Sequence, residues 1–182
     1  AHAACARALL LRQAPSAELQ QTAEEELAAR AGRQDGGGKT PLFEATDLET
    51  CRLLLEHRCD PNIVDLGRQS VLFHAASLGH VEKVRLLVEF RADAKLRDNL
   101  RQTPLFRAAA GGHLQVCELL VREGGADPRS KDQSMLMASG VASQTGHEAL
   151  AQQLNAWAAW RPPRAFATPA NGQRQPQPSQ PQ

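Results

Sequence analysis

The sequence predicts an all-α fold, a helical repeat solenoid with short β-hairpin loops and a disordered C-terminal tail. Three observations predict it. The middle of the chain repeats itself, a residue pair that starts helices recurs within the repeat, and apolar residues line one side of each following helix. A helix pair with one apolar side cannot bury that side alone, so successive copies have to stack around one continuous core.

The repeat is clearest between its second and third copies. A shift of 33 positions lays Ser70–Ala76 on Thr103–Ala109, and it carries Asp65 onto Asp98. The same shift lays a Gly-His pair on its counterpart: Gly79-His80 on Gly112-His113. This recurrence over a whole unit indicates a stack of similar structural elements.

Two further copies flank this pair. The first begins at Asp35 and is three residues short between Thr40 and Leu48, and the fourth begins at Asp132 and has Met137–Gly140 in place of the helix start. We therefore expect a repeat array over residues 35–154, after Ala-rich N-terminal helices (1–34) and before a Pro- and Gln-rich disordered tail (155–182). The four copies are 35–64, 65–97, 98–131 and 132–154.

Residues 1–34 have two interpretations that the sequence leaves open. Leu9-Leu10-Leu11 is either the second helix of a truncated upstream repeat followed by an insertion, or part of a helical cap on the solenoid. Because the chain starts at Ala1 directly in a helical stretch, we expect it to be a fragment of a longer protein.

Each copy carries the signals for two helices. Thr40-Pro41 and Thr103-Pro104 are typical N-cap and first-turn pairs, since Pro has no N–H to leave without a partner there. Gly79 and Gly112 supply the left-handed residue that ends the first helix. The second helices follow with apolar residues on one face: Leu48, Cys51, Leu54 and Leu55; Val81, Val84, Leu87 and Val88; Leu114, Cys117, Leu120 and Val121.

These residues resemble the ankyrin repeat, whose unit reads D-x-x-G-x-T-P-L-H-x-A-A-x-x-G-H, then an apolar helix, then G-A-D. The resemblance covers residues 35 to about 154. The family's His is replaced by Phe43, Phe73 and Phe106, which removes its usual His-to-Thr hydrogen bond and adds buried aromatic area. The hairpin Gly is replaced by Arg68 and Arg101, so we expect these two tips to be distorted.

The resemblance implies a concave groove, formed by the hairpin tips and the exposed side of the inner helices, that binds a partner protein. Among its positions, Leu66, Leu78 and Leu100 are the expected hot spots, because large apolar residues that the core does not need indicate an interface. The alternative is that Leu66 and Leu100 pack hairpin against hairpin. The full set of matching positions is Lys39, Val64, Leu66, Gln69, Ser77, Leu78, Arg97, Asn99, Leu100, Gln102, Ala110 and Lys131.

Charge and composition argue against other classes of protein. The net charge is +1, from 21 Lys and Arg and 20 Asp and Glu mixed along the chain, so no basic field favours nucleic acid. No apolar run has the length of a membrane span, and the start lacks the pattern of a signal peptide. We expect a monomeric, cytoplasmic protein, with the nucleus as the alternative location, that binds a protein partner and no nucleic acid, membrane or cofactor.

No motif predicts catalysis or a metal site. Gly36–Thr40 resembles a phosphate loop, but its first Gly would have to fall at Arg33 and no strand precedes it. One group of histidines recurs at a single repeat position, which is typical of a structural role: His80, His113 and His147. Another cluster lacks the spacing of a zinc site: Cys51, His57 and Cys59.

The sequence leaves two functions. The leading hypothesis is a protein-binding scaffold that is not an enzyme and needs no cofactor. The alternative is the regulatory array of a larger enzyme or channel whose functional domain lies outside this sequence. The full-length sequence would separate them, because a catalytic or membrane domain beside the array would favour the second.

Overall fold

The computed structural model describes residues 34–159, and within them eight helices form four pairs joined by hairpin loops. The all-α repeat solenoid is therefore confirmed, whereas the predictions for residues 1–33 and for 160–182 lie outside the described part. The inner helices are α1 (Pro41–Glu44), α3 (Val71–Ser77), α5 (Pro104–Ala110) and α7 (Ala138–Gln144). The outer helices are α2 (Leu48–Glu56), α4 (Val81–Glu89), α6 (Leu114–Arg122) and α8 (Glu148–Ala159).

The inner helices stack on one another in chain order, and each outer helix packs on the inner helix of its own copy. Between copies the hairpins form no strand within residues 34–159, only isolated antiparallel bridges at Val64–Ser70 and Lys131–Met137. None of the helices in this part of the chain has the length and apolar character that a bilayer span requires. The hairpins therefore project from a layer of inner helices that the outer helices cover on one side.

The helices α1 and α5 begin at the predicted N-cap residues Thr40 and Thr103, but the caps work differently from expectation. Thr103 has extended backbone angles, yet its hydroxyl accepts no hydrogen bond from the helix. Instead, the N–H of Phe106 donates to the backbone carbonyl of Thr103 at 2.9 Å. The hydroxyl oxygens of Thr40, Ser70 and Thr103 are buried and have no hydrogen-bond partner among the described residues, at the position where the family's His would provide one.

Gly79 and Gly112 end their helices in the left-handed conformation, with φ of +71° and +72°. A Cβ atom on Gly79 would lie 2.5 Å from Nδ1 of His113, and one on Gly112 would lie 2.6 Å from Cε1 of His147. Each of these two imidazoles is seated on the glycine turn of the preceding copy. This position gives the recurring histidine a packing role between copies.

The first copy has a shorter inner helix than the others. α1 contains four residues, whereas α3, α5 and α7 contain seven each. The chain therefore passes from Ala45 almost directly to Asp47, whose Oδ1 atom caps α2 by accepting the N–H of Thr50 at 2.7 Å. This copy lacks the Gly turn, and His80 of the next copy is exposed.

The core contains most of the predicted apolar positions of the outer helices. Leu48 and Leu114 are exceptions, since each is the first residue of its helix and is exposed. Leu86 and Leu119, which the one-face pattern omits, are buried, because an outer helix contacts its neighbouring outer helix as well as its own inner helix. The apolar face is therefore wider than the sequence pattern indicates.

The helix α8 extends beyond position 154, where the repeat array was expected to end. Residues 155–159 continue the helix to Ala159 instead of starting a tail. Ala has the highest helix propensity, and Trp157 packs half-buried against the core. Gln152 and Gln153 are exposed on this last helix, as a polar end cap of a repeat array requires.

Candidate protein-interaction face

Four aspartates hold the hairpin tips in one conformation. The Oδ1 atom of Asp98 accepts the N–H groups of Leu100 and Gln102, both at 2.9 Å. Asp35, Asp65 and Asp132 make the same pair of bonds in their own hairpins, at 2.8 to 3.0 Å. At Asp35 the bonds from Lys39 and then Gly37 hold the pKa of the carboxyl group below its ordinary value of 3.8. Each tip therefore contains a carboxylate that fixes its backbone.

The expectation that two tips are distorted is wrong. The fourth residue of each hairpin is left-handed whether it is a glycine or not: φ is +77° at Gly38, +58° at Arg68, +60° at Arg101 and +62° at Met135. A side chain in this conformation costs about 1 kcal/mol. The aspartate bonds and the neighbouring hairpins hold the backbone there, so the arginines adopt the glycine geometry.

Backbone hydrogen bonds join each tip to the next. The N–H of Leu66 donates to the carbonyl of Gly37 at 3.1 Å, and the N–H of Gln133 donates to the carbonyl of Leu100 at 3.0 Å. The middle junction is longer, with 3.4 Å between the nitrogen of Asn99 and the oxygen of Gly67. The four tips consequently form one continuous edge along the array.

Three of the predicted partner-binding side chains bridge neighbouring hairpins. The Nε2 atom of Gln69 donates to Oδ2 of Asp98 at 3.1 Å, and that of Gln102 donates to Oδ2 of Asp132 at 3.2 Å. The Nδ2 atom of Asn99 donates to the carbonyl of Leu66 at 3.4 Å. These amides therefore stabilise the contact between neighbouring copies.

The side chain of Asp98 is the most heavily bonded of the tip carboxylates. Besides Gln69, its Oδ2 atom accepts a hydrogen bond from Nη2 of Arg107 at 2.8 Å. Only 2% of this carboxylate side chain is exposed, so the bonds replace the water it loses. In the second copy His74 lies at the matching position, with Nε2 3.4 Å from Oδ2 of Asp65.

The three predicted hot-spot leucines are exposed. Solvent reaches 77% of Leu66, 63% of Leu78 and 50% of Leu100. The exposure of Leu66 is incompatible with the alternative that it packs between hairpins. Met135 is 66% exposed on the fourth tip, and the sequence analysis left it out. It lies three residues after Asp132, as Arg68 lies three residues after Asp65, so the repeat register would have located it.

The remaining predicted positions surround these side chains. Ser77 and Lys131 are exposed, and the carbonyl of Ser77 is 3.1 Å from Nε2 of His113. Four others are half-buried: Lys39, Val64, Arg97 and Ala110. We refer to the hairpin tips together with the exposed side of the inner helices as the tip face.

Three ion pairs lie on the opposite, convex face. Arg52 of α2 lies 3.9 Å from Glu89 of α4, and Arg85 of α4 lies 3.1 Å from Glu123, which caps α6. Within α6, Arg122 and Glu118 are 3.1 Å apart. Each exposed pair contributes little stability, but together they leave alternating and largely balanced charge along the outer helices.

The described residues contain no cluster of three or more side chains able to hold a metal ion. The thiols of Cys51, Cys59 and Cys117 are buried. Burial raises the pKa of Cys117 to about 12, so this thiol stays protonated near neutral pH and is a poor nucleophile.

Comparison with known proteins agrees with this geometry. None of the curated proteins matches the chain. A family model described as ankyrin repeats, in three copies, matches residues 42–132, which is half of the chain. The match spans the outer helices of the first three copies, the hairpin tips of the second and third, and the turns at Gly79 and Gly112. The chain therefore belongs to the ankyrin repeat family.

Proposed function

We propose that this array binds a partner protein through the tip face and performs no chemistry of its own. Ankyrin repeats are generally protein–protein interaction modules, and the family is typically non-catalytic. The proposal places the interaction on the hairpin edge and the inner helices.

The observation that carries this proposal is the exposure of Leu66, Leu78 and Leu100 on one face. The core is already filled by the buried residues of the inner and outer helices, so these side chains stabilise the monomer little. Large apolar side chains that are exposed gain free energy when a partner removes them from water, about 25 cal/mol for each Å² of apolar surface. They are therefore the side chains through which we expect the partner to bind.

The test is a quantitative pull-down from cell lysate with the native chain and with the triple variant Leu66→Glu, Leu78→Glu and Leu100→Glu. The double variant Leu48→Glu and Leu114→Glu is the matched control, because those leucines are also exposed but begin outer helices. Circular dichroism first establishes that all three chains are equally helical.

We expect the native chain and the control to retain the same proteins, and the triple variant to lose them. Equal retention by all three folded chains would refute the tip face as the binding site. Loss from the control alone would move the site to the convex face.

A further inference from the structure

The tip face carries cations that have no carboxylate partner among residues 34–159. Arg68, Arg97, Arg101 and Lys131 lie on the hairpins of copies two to four, and in the described part of the chain none of them forms an ion pair. The Nη1 atom of Arg97 donates to the carbonyl of Lys131 at 3.4 Å, which leaves its charge uncompensated. This arrangement contrasts with the convex face, where three arginines form ion pairs.

The carboxylates of the same face already form hydrogen bonds within the array. In the hairpins of copies two to four the acidic residues are Asp65, Asp98 and Asp132, and each holds two backbone N–H groups of its own tip. Their second oxygens face Gln69, Gln102, His74 and Arg107. Among the inner helices α1, α3, α5 and α7 the only acidic residue is Glu44, in the first copy. The chain has a net charge of +1, yet copies two to four concentrate positive charge on one face.

Apolar side chains lie among these cations. Leu66 precedes Arg68 by two residues, Leu100 precedes Arg101 by one, and Met135 takes the arginine position on the fourth tip. The tips contain no aromatic side chain on which a base could stack, and stacking is a main source of affinity for single-stranded nucleic acid. Alternating cations and leucines fit a polypeptide that is both acidic and apolar.

We infer that the partner presents an acidic segment with interspersed large apolar residues, which lies along the tips of copies two to four. The inference rests on the proposed function and specifies the chemistry of its partner. Carboxylates of the segment would pair with Arg68 and Arg101, and its apolar side chains would cover Leu66, Leu100 and Met135. Complementary charge of this kind sets which partner binds and accelerates the encounter.

The spacing of the tips sets the length of such a segment. Each hairpin contributes two strand-like arms about 4.8 Å apart, so tips recur at about 10 Å, while an extended peptide rises about 3.3 Å per residue. About three residues therefore pass each tip. A peptide of about nine residues, with Glu-Leu-Glu repeated for three tips, is a suitable probe.

The test measures binding of this fluorescein-labelled peptide to the full chain by fluorescence anisotropy. In the variant Arg68→Gly with Arg101→Gly, two charges disappear, while glycine adopts the left-handed conformation freely, as Gly38 does in the first tip. The matched control is Arg58→Gly with Arg91→Gly. These arginines are also left-handed and exposed, with φ of +64° and +63°, but they follow outer helices. Both variants therefore undergo the same change in net charge.

We expect the tip variant to weaken binding about tenfold and the control variant to leave it within about twofold, with binding to the native chain weaker at higher salt. The inference is overturned if the peptide does not bind, if both variants weaken binding alike, or if a Gln-Leu-Gln peptide binds equally well. Equally tight binding of an oligothymidylate, lost in the same tip variant, would identify nucleic acid as the occupant instead.

The two proposals fail separately. If the triple leucine variant loses its captured proteins while Arg68→Gly with Arg101→Gly keeps them, the tip face remains the binding site, but the inference that the partner is acidic is wrong. If neither variant changes capture, the proposed function itself is wrong.

Discussion

Lys83 of α4 donates a hydrogen bond from its ammonium group to the carbonyl oxygen of Ala45 in the first copy, at 2.6 Å. Ala45 caps the end of α1, which stops after one turn, and its carbonyl also accepts the Cys51 thiol at 3.4 Å. The last carbonyls of a helix carry partial negative charge and lack partners within the helix. Lys83 therefore joins the second copy to the shortened end of the first.

Replacing Lys83 by Met should lower the free energy of unfolding by about 2 kcal/mol, because Met keeps the apolar stem and removes a charged hydrogen bond. Urea unfolding followed by circular dichroism measures the change. Lys95→Met is the control: Lys95 is exposed, and its replacement should change stability by less than about 0.5 kcal/mol. Equal effects of the two substitutions would show that the bond to Ala45 does not stabilise the array.

The Thr103 hydroxyl is buried without a partner, so Thr103→Val should raise the free energy of unfolding by about 1 kcal/mol. Val has nearly the same shape, and no cap hydrogen bond is lost with the hydroxyl. Thermal unfolding of both chains checks this expectation. Thr103→Ser keeps the hydroxyl and removes the methyl group, so it should destabilise the protein. Destabilisation by Val would reveal a partner for the hydroxyl.

Gly112→Ala should destabilise the array by more than about 2 kcal/mol, since it combines a left-handed alanine with a contact too close to the His147 ring. Adding His147→Ala separates the two causes in a double-mutant cycle. Denaturant unfolding of the four chains should show that the second substitution recovers the steric part and leaves about 1 kcal/mol of backbone strain. Strict additivity would mean that the imidazole moves aside freely.

Asp47 makes stability sensitive to acid. The hydrogen bond from the Thr50 N–H is the main cause that holds the pKa of this carboxyl group below its ordinary value of 3.8. Because the folded-state pKa is depressed, the stabilising contribution is present above pH 3.8 and is lost as the pH falls through the folded value.

The variant Asp47→Asn isolates this effect, because Asn also caps helices and does not titrate. Thermal midpoints of both chains from neutral pH to about pH 2.5 give the comparison. We expect the native chain to lose stability relative to the variant at the acidic end. Parallel curves would exclude a contribution from Asp47.

The sequence predicts the register of the repeat well, because the hairpin aspartate recurs in all four copies and the second and third copies share their helix starts and Gly turns. Gly79 and Gly112 are left-handed as expected, and α1 and α5 start after the predicted residues Thr40 and Thr103. The exposure of Leu48 and Leu114 was not predictable from the helical pattern. The pattern fixes which residues share a face but not where that face ends along the helix axis.

The candidate face was predictable only in part. Leu66, Leu78 and Leu100 are exposed, but the structure ties Gln69 and Gln102 to the aspartates of the next copy. Such links depend on the distance between stacked hairpins, which a pattern within one copy does not contain. The absence of ion pairs at Arg68 and Arg101 within the described part of the chain likewise depends on which carboxylates surround the tips in three dimensions.

The aspartate at the start of each hairpin shapes the tip through backbone groups. The side chains of the next two residues contribute little to this shape, apart from the bond that Asn99 donates to the carbonyl of Leu66. The tips accordingly share one backbone although those residues are Gly-Gly, Leu-Gly, Asn-Leu and Gln-Ser. Different residues of each tip therefore determine its stability and its choice of partner. A combinatorial library randomised at those two positions of each hairpin would retain the scaffold while sampling new ligands, one tip at a time.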